Sequence, residues 1–324
     1  MWLSALTANW ATYALGSFWA LNNVWGAGAL VNGVDYTQSI SIDRSTFPNG
    51  VTMSWSWPNG TAIFSYPEIV YGAQQSFAIP TRTDMPPPTQ VAAFTNLSAQ
   101  YSLSISGQTR KFDVAFDLWL TSRPDGGIED ELMVLVHDQW TPVPQAQNIG
   151  TVGSFRIYLA HNWGNSGQTW NLIQLKPATD TLAATISLSD ILKTLVWNGV
   201  LTGSEYISGI ELGAEVAGGS GSLTINSLGY RWEARPTIFG TDGNDIFNIA
   251  AAGGNYIIGK GGIDVVKYNG PHSQFQIKQL AGKALVMKNN DISTLDVLSG
   301  VTYVEFSDGK YDCTTSRFLP AAAR

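Results

Sequence analysis

From Trp10 to about Trp232 the chain alternates apolar and polar residues in short runs broken by Gly, Pro, Asn and Asp, as in Val51 to Trp57, Lys111 to Leu120 and Glu131 to Val136. A period of two sends successive side chains to opposite faces of a strand. Many such runs separated by turn residues predict an all-β, two-sheet sandwich. One stretch departs from this rule. In Ser187 to Trp197 the residues Ile191, Leu192, Leu195 and Val196 recur at helical spacing behind Ser187 or Ser189 as a cap, which predicts a single short helix. Pro80 to Thr89, rich in Pro and Thr, reads as a long irregular surface connection. Near Ala234 to Thr237 the composition shifts toward Gly and Asp, which places a domain boundary between residues 1–235 and 236–324. Beyond it, Gly240 to Asn248 fits the nine-residue pattern G-G-x-G-x-D-x-U-x at Gly240, Gly243, Asp245 and Phe247. Gly259 to Lys267 fits it again at Gly259, Gly262, Asp264 and Val266, with a degenerate turn between them that has Tyr256 where an Asp is required.

Composition narrows the function. Lys and Arg number 18 against 25 Asp and Glu, for a net charge of -7, and no basic cluster is dense enough to neutralise a phosphate backbone, so nucleic acid is not an expected partner. Only 13% of residues are charged while Trp, Tyr, Ser, Thr, Asn and Gly are plentiful, which suits a surface that meets uncharged polar ligands such as sugars. The single cysteine, Cys313, excludes an internal disulfide framework and a cysteine-based zinc site. No run approaches the roughly 18 apolar residues of a spanning helix, so membrane insertion is not expected. The first positive side chain is Arg44, and the opening residues carry no continuous apolar stretch. The expectation is a secreted protein, a monomer, without an evident N-terminal signal peptide.

Alternation also sorts the acids. It sends Glu129, Glu131, Met133 and Leu135 to one face of their strand and Ile128, Leu132, Val134 and Val136 to the core. Asp113, Asp117 and Trp119 are likewise opposed to Val114, Phe116 and Leu118, and Glu211 and Glu215 to Ile210, Leu212, Ala214 and Val216. Three strands that present carboxylates beside Trp supply the parts for glycosidic cleavage, in which one acid protonates the leaving oxygen and another carboxylate attacks the anomeric carbon. The same pattern also fits acids that are merely solvated.

Six short motifs resolve the choice. NWATYALGSFWALNNVWG resembles the opening strand of glycoside hydrolase family 12, the β-jelly-roll endoglucanases and xyloglucanases, with its NNLWG motif. SWSWPNG, SYPEIVYG, AFDLWL and EDELMVLVHD are similar to the family's WSWSG, SYPN, YDLF and YELMIWL segments, and ELGAEVAGGSGSLTINSLGYRW to its GTEPFTGSG strand and return. Their order and spacing hold over residues 9 to 233. The resemblance implies a β-jelly-roll hydrolase cutting internal β-1,4-glucosidic bonds of cellulose-type or mixed-linkage β-glucans with retention, without a catalytic cofactor. Glu131 then matches the nucleophile and Glu215 the general acid and base, about 5 to 5.5 Å apart. Asp117 matches an Asp beside the nucleophile, and Met133 a cleft-floor Met for which packing is an equal account. Trp25 matches an aromatic sugar platform, its alternative being a core residue, with Asn23 as a hydroxyl partner. Asn162 and His161 line the cleft by position. Glu129, Glu205 and Glu211 gain no support and read as structural or exposed. The chain departs from the family at Leu135 (Trp in ELMIW), Ala214 (Thr in GTE) and Val216-Ala217 (Pro-Phe), which puts the sugar subsites in question.

The nonapeptides resemble repeats-in-toxin modules, small parallel β-rolls with calcium between stacked loops. This implies one structural calcium between Asp245 and Asp264. The tail DISTLDVLSGVTYVEFSDGKYD is similar to the strand-rich ends of proteins exported through a C-terminal signal, so export machinery is an expected partner. The competing readings are a xyloglucan-specific endo-β-1,4-glucanase, a non-catalytic carbohydrate-binding protein, and a calcium-dependent adhesion module with a vestigial first domain.

Overall fold

The computed structural model describes residues 3–60, 62–74, 84–138, 143, 145–165 and 167–321. Part of the connection expected from Pro80 to Thr89, residues 80–83, lies outside them. The chain divides into two compact units. The first comprises Met1–Pro88, Ala99–Ile186 and Tyr206–Tyr230, and the second Thr89–Ser98, Ser187–Glu205 and Arg231–Arg324. Thr89–Ser98 and Ser187–Glu205 thus group with the residues from Arg231 onward. The expected helix, Leu188–Trp197, groups with the C-terminal residues, where its buried Lys193 donates to the Ser293 carbonyl over 2.7 Å. Ser187 caps that helix, its hydroxyl accepting the Asp190 N–H. No helix among the described residues is long and apolar enough to cross a membrane.

The first unit is a sandwich. One sheet runs through the strands Leu3–Leu6, Thr37–Asp43, Val51–Trp57, Gly219–Ala234, Phe94–Gly107 and Ala183–Ser187 in that spatial order. The larger sheet contains β1 (Thr12–Leu15), β2 (Phe18–Leu21), β3 (Glu68–Gly72), β4 (Val114–Arg123), β5 (Gly126–His137), β6 (Gln147–Val152), β7 (Phe155–Asn165), β8 (Gln168–Pro177) and β9 (Gly209–Gly213). Its main path is β6-β7-β8-β5-β4-β9-β3-β2-β1. Pairing is antiparallel except between β5 and β8, which run parallel from Asp130↔Asn171 to Val134↔Leu175.

Register explains which face holds the core. Phe116, Leu118, Leu120, Leu132, Val134 and Val136 are fully buried, as their alternation predicts. Phe116 meets Tyr101 of the opposite sheet edge-on, and Trp55 meets Phe112 the same way, so these side chains fill the space between the sheets. Each such burial contributes about 1.5–3 kcal/mol. The other face of β4, β5 and β9 is left for polar chemistry.

The second unit contains a parallel roll. Ile238–Phe239, Tyr256–Ile258 and Asp296–Ser299 stack in parallel in one sheet, and Ile246–Ile249, Val265–Tyr268 and Tyr303–Phe306 in the other. The first coil advances 19 residues, from Ile238 to Ile257 and from Ile246 to Val265. Each sheet then closes with antiparallel strands, Phe275–Leu280 and Lys283–Lys288 in the first, Gly309–Asp312 and Arg317–Pro320 in the second. Ile257, Val266, Val286 and Val304 form its dry interior, with Cys313 packed against the edge.

The first glycine of each nonapeptide has a steric reason. A Cβ on Gly259 would lie 2.2 Å from Asp264 Oδ2 and 2.5 Å from the Gly300 carbonyl, so only glycine lets the coils stack this closely. Gly240 repeats the arrangement against Asp245 Oδ2 and the Gly259 carbonyl.

Candidate active site

The polar face is assembled from neighbouring strands. β5 places Glu131 opposite Trp119 and Met133 opposite Asp117 on β4, and Asp117 lies in turn opposite Glu211 on β9. β9 lies beside β3, where Glu68 pairs with Gly213. Beyond β9 the chain keeps contact with the start of β4: Asp113 N–H donates to the Glu215 carbonyl over 3.2 Å, and Val216 bridges Phe112. Glu68, Asp113, Asp117, Glu131, Glu211 and Glu215 thus gather on one side of the sheet.

Burial decides their electrostatics. Glu131 is 8% exposed and Asp117 5%, whereas Glu215 is half-buried. Glu131 Oε2 accepts the indole Nε1–H of Trp170 over 2.6 Å. Burial first, and then the charge of Glu215, push the Glu131 carboxyl up to about 8 against the pull of Trp170 and Asp117. Burial pushes Glu215 up to about 7, opposed by a hydrogen bond with Asp113 and by the Lys176 cation. The two carboxyls ionise as a coupled pair, so these values belong to the dyad rather than fixing which oxygen keeps the proton. Asp117 rises well above the carboxylate range through burial and the charges of Glu131, Glu211 and Glu215. It lies beside Glu131, and the two carboxyls interact. Asp113 is raised by burial and by the charges of Glu215 and Asp138. Lys176 is anchored on Asp138 over 2.9 Å, with both side chains nearly buried.

An apolar and aromatic surround completes the site. Trp119 and Trp170 meet edge to face with centroids 5.3 Å apart, and Trp163 pairs in register with Trp170. Met133 is buried among Ala115, Leu135, Ala160 and Leu172, and Gln174 Nε2 reaches its sulfur at 3.8 Å. Leu135 is wholly buried in the same cluster, and Ala214, Val216 and Ala217 are buried too, so the departures from the family motifs fall on packed positions.

The remaining expected residues divide. Asn23 is 4% exposed and donates to Glu68 Oε1 over 3.0 Å, and its Oδ1 accepts the Trp25 N–H at 3.2 Å. Trp25 is 56% exposed, so it lies at the surface and not in the core. His161 is not brought to the carboxylates. Its Nδ1 pairs with Asn171 Oδ1 at 2.8 Å, and Asn171 donates to Asp130, so the three occupy the face opposite Glu131, Trp170 and Leu172. A register shift between Ala160 and Trp163 holds this difference, and Asn162 sits in it, exposed and with φ of 54°. That bulge turns Trp163 back to the active face.

Sequence reasoning missed four participants. Glu68, Asp113 and Glu211 are all buried, where alternation alone left them as solvated or unsupported acids. Trp170 carried no motif; its signal was only the parallel register that aligns β8 with β5. Glu129 is exposed, and Glu205 is a buried turn residue that accepts from Thr202 and Gly203.

In the roll, Asp245 and Asp264 lie on one side, the Asp245 N–H donating to Asp264 Oδ1 over 2.9 Å. Asp245 Oδ2 accepts from Thr241 N and Oγ1, while the buried Asp264 Oδ2 has no hydrogen-bond partner. On the other side Tyr256 belongs to a strand, and its neighbour Asn255 turns inward to Asp296.

No family model matches the chain. It is 24% identical over 221 residues to Endoglucanase S of Pectobacterium parmentieri, covering 64% of this chain and 79% of that protein. It is 24% identical over 225 residues to a probable xyloglucan-specific endo-beta-1,4-glucanase A of Aspergillus terreus, covering 67% and 83%. An inactive glycoside hydrolase of Phytophthora nicotianae is 26% identical over 229 residues, covering 68% and 88%. Among solved structures, a family 12 xyloglucanase from Bacillus licheniformis aligns with a TM-score of 0.62 at 22% identity over 71% of this chain and all of that one. Trichoderma harzianum endoglucanase 3, also of family 12, aligns with a TM-score of 0.58 at 21% identity over 71% and 98%. The sandwich is thus the jelly roll of a class of glycoside hydrolases. The solved family 12 structures share this fold, and the curated relatives are named endoglucanases and xyloglucan-specific endo-beta-1,4-glucanases.

Proposed function

We propose that this chain is a retaining endo-β-1,4-glucanase in which Glu131 is the nucleophile and Glu215 the acid and base. The observation that carries the reading is the setting of Glu131: a buried carboxyl that receives the Trp170 indole N–H on the same side of the sheet as Asp117 and Glu215. Family likeness alone does not decide turnover, because a relative of similar identity is named inactive.

The mechanism follows from these positions. Protonated Glu215 delivers its proton to the glycosidic oxygen while the Glu131 anion attacks the anomeric carbon, giving a covalent glycosyl-enzyme. Glu215, now ionised, takes a proton from water as that water cleaves the ester, and configuration is retained after two inversions. Trp170 and Asp117 hold charge on Glu131 before attack. Trp25 offers an indole face to a glucosyl ring, and Trp163 and Trp170 supply further aromatic surface. The departures at Leu135, Ala214 and Val216 lie in packed positions and leave the aromatic face intact.

Reducing-sugar release from carboxymethylcellulose, mixed-linkage β-glucan and xyloglucan tests this. Glu131→Gln and Glu215→Gln should each lose nearly all activity while circular dichroism shows them folded; wild-type rates in either would refute the assignment. The xyloglucan-specific reading is favoured by the names of several relatives, and the preferred polymer in the same assay separates the two.

The catalytic module is assigned to residues 1–235 and the C-terminal module to 236–324, acting outside the cell. The C-terminal roll fits one calcium in part: Asp264 Oδ2 is a buried oxygen without a hydrogen-bond partner, and the Asp245 backbone N–H donates to the other oxygen of the same carboxyl. Asp245 and Asp264 would hold the ion with loop carbonyls, as a structural clamp. A rise in the roll's melting temperature with added calcium, reversed by chelator and absent in Asp264→Ala, is expected.

A further inference from the structure

We propose that Glu68 is a positioning residue that sets the pose of Trp25 through Asn23, and so governs how tightly the glucan is held. The inference rests on the reading of Trp25 as a sugar platform.

The link is continuous. Glu68 is fully buried on β3, where the resembling motif SYPN has Asn. Its Oε1 accepts the Asn23 amide at 3.0 Å, and that amide's own oxygen accepts the Trp25 backbone N–H at 3.2 Å, so the contact sets the backbone that carries the indole. Orienting one end of the Asn23 side chain therefore orients the other. The backbone beside it is fixed from a second direction: Gln38 Nε2 donates to the Asn23 carbonyl and to Asn22 Oδ1, each over 3.0 Å. Trp57 Nε1–H in turn holds Gln38 Oε1. With that frame rigid, the Glu68 contact is the part that aims the turn toward Trp25.

Glu68 is itself held against movement. Gln74 Nε2 lies 3.4 Å from both of its oxygens, and Glu211 shares a hydrogen bond with it. Burial pushes the Glu68 carboxyl up to about 8. Burial and the charge of Glu68 also push the Glu211 carboxyl well above the usual carboxylate range. A buried acid pair costs stability compared with an apolar pair of the same shape. Aiming Trp25 is what this arrangement provides in return.

Steady-state kinetics on the best of the three glucans tests the inference with Trp25→Ala, Glu68→Ala, Glu68→Gln and the double variant Trp25→Ala/Glu68→Ala. Trp25→Ala should raise KM; an unchanged KM would remove the platform reading itself. Given that rise, Glu68→Ala should raise KM about tenfold with kcat within about twofold, as expected for a lost hydrogen bond acting on binding alone. Glu68→Gln keeps an oxygen facing Asn23 and should restore KM most of the way. In the Trp25→Ala background Glu68→Ala should add nothing. A wild-type KM in Glu68→Ala, a loss confined to kcat, or full additivity in the double variant would overturn the proposal while leaving the platform standing. Should Glu68→Ala fail to fold, Asn23→Ala takes its place with the same expected rise in KM, and a wild-type KM there overturns it.

Discussion

Trp170 donates its indole N–H to Glu131 over 2.6 Å, although the two residues are 39 positions apart and on strands that run parallel. A neutral donor of this kind stabilises the anion without adding a cation that would hold it in place during attack. Trp170→Phe keeps the ring and removes the donor. It should lower kcat about 10- to 100-fold. Because the donor lowers the Glu131 pKa, its loss raises it, and the acid limb of the rate profile should move to higher pH. An unshifted limb would mean the contact is structural.

The dyad makes a prediction of its own. Retaining chemistry needs one proton on the pair: two leave no nucleophile, none leaves no acid. With Glu215 raised to about 7 and Glu131 to about 8, kcat/KM should follow a bell centred near neutral to mildly alkaline pH. A maximum near pH 5 would contradict the upward shift of both carboxyls.

In the roll, Asp296 gathers the N–H groups of Gly253 and Asn255, the Asn255 amide and the Tyr268 hydroxyl onto one buried carboxyl. Asp296→Ala would strand these donors and should destabilise the second unit by about 3 kcal/mol or more. Burial raises Asp296 from 3.8 to about 6. A raised folded-state pKa means the fold binds the proton more tightly than the unfolded chain, so its stabilising contribution is complete below about 3.8 and is lost as pH rises through about 6. Calorimetry between pH 4 and 7 should show the roll's transition falling as pH rises, and Asp296→Asn should flatten that slope.

Gly259→Ala tests coil stacking. Its new methyl would press on the Gly300 carbonyl as well as on Asp264, and backbone cannot yield as a flexible side chain can. A loss of about 1–3 kcal/mol in the roll is expected, with glucan hydrolysis unaffected. Gly243→Ala, whose added Cβ meets only Thr241 Oγ1 at 3.7 Å, is the control.

Much of this molecule was legible in its residue pattern. Strand alternation separated Leu132 and Val134 from Glu131 because one face of each strand is dry and the other carries carboxyls, and the helix announced itself through Ser187 and its apolar spacing. The motifs pointed to Glu131 and Glu215 because they are local, contained in single strands. What stayed hidden depends on contacts between strands far apart in sequence. Trp170 is chosen by a parallel register, and the misplacement of His161 arises from a bulge that reverses side-chain direction between Ala160 and Trp163. Glu68 and Glu211 read as ordinary acids because their burial comes from β3 and β9 lying side by side. The domain boundary likewise concealed that Thr89–Ser98 and the helix group with the second unit.

The central claim is that Glu131 becomes covalently bonded to the sugar. Incubation with a 2-deoxy-2-fluoro cellobioside bearing a good leaving group, followed by peptide mass mapping, reads that bond directly, since the fluorine slows both formation and breakdown of the ester while the activated leaving group restores its formation. The expected result is one added fluorocellobiosyl group on the peptide containing Glu131, absent in Glu131→Gln. Label on another carboxyl, or steady turnover with inverted product and no label, would contradict the account.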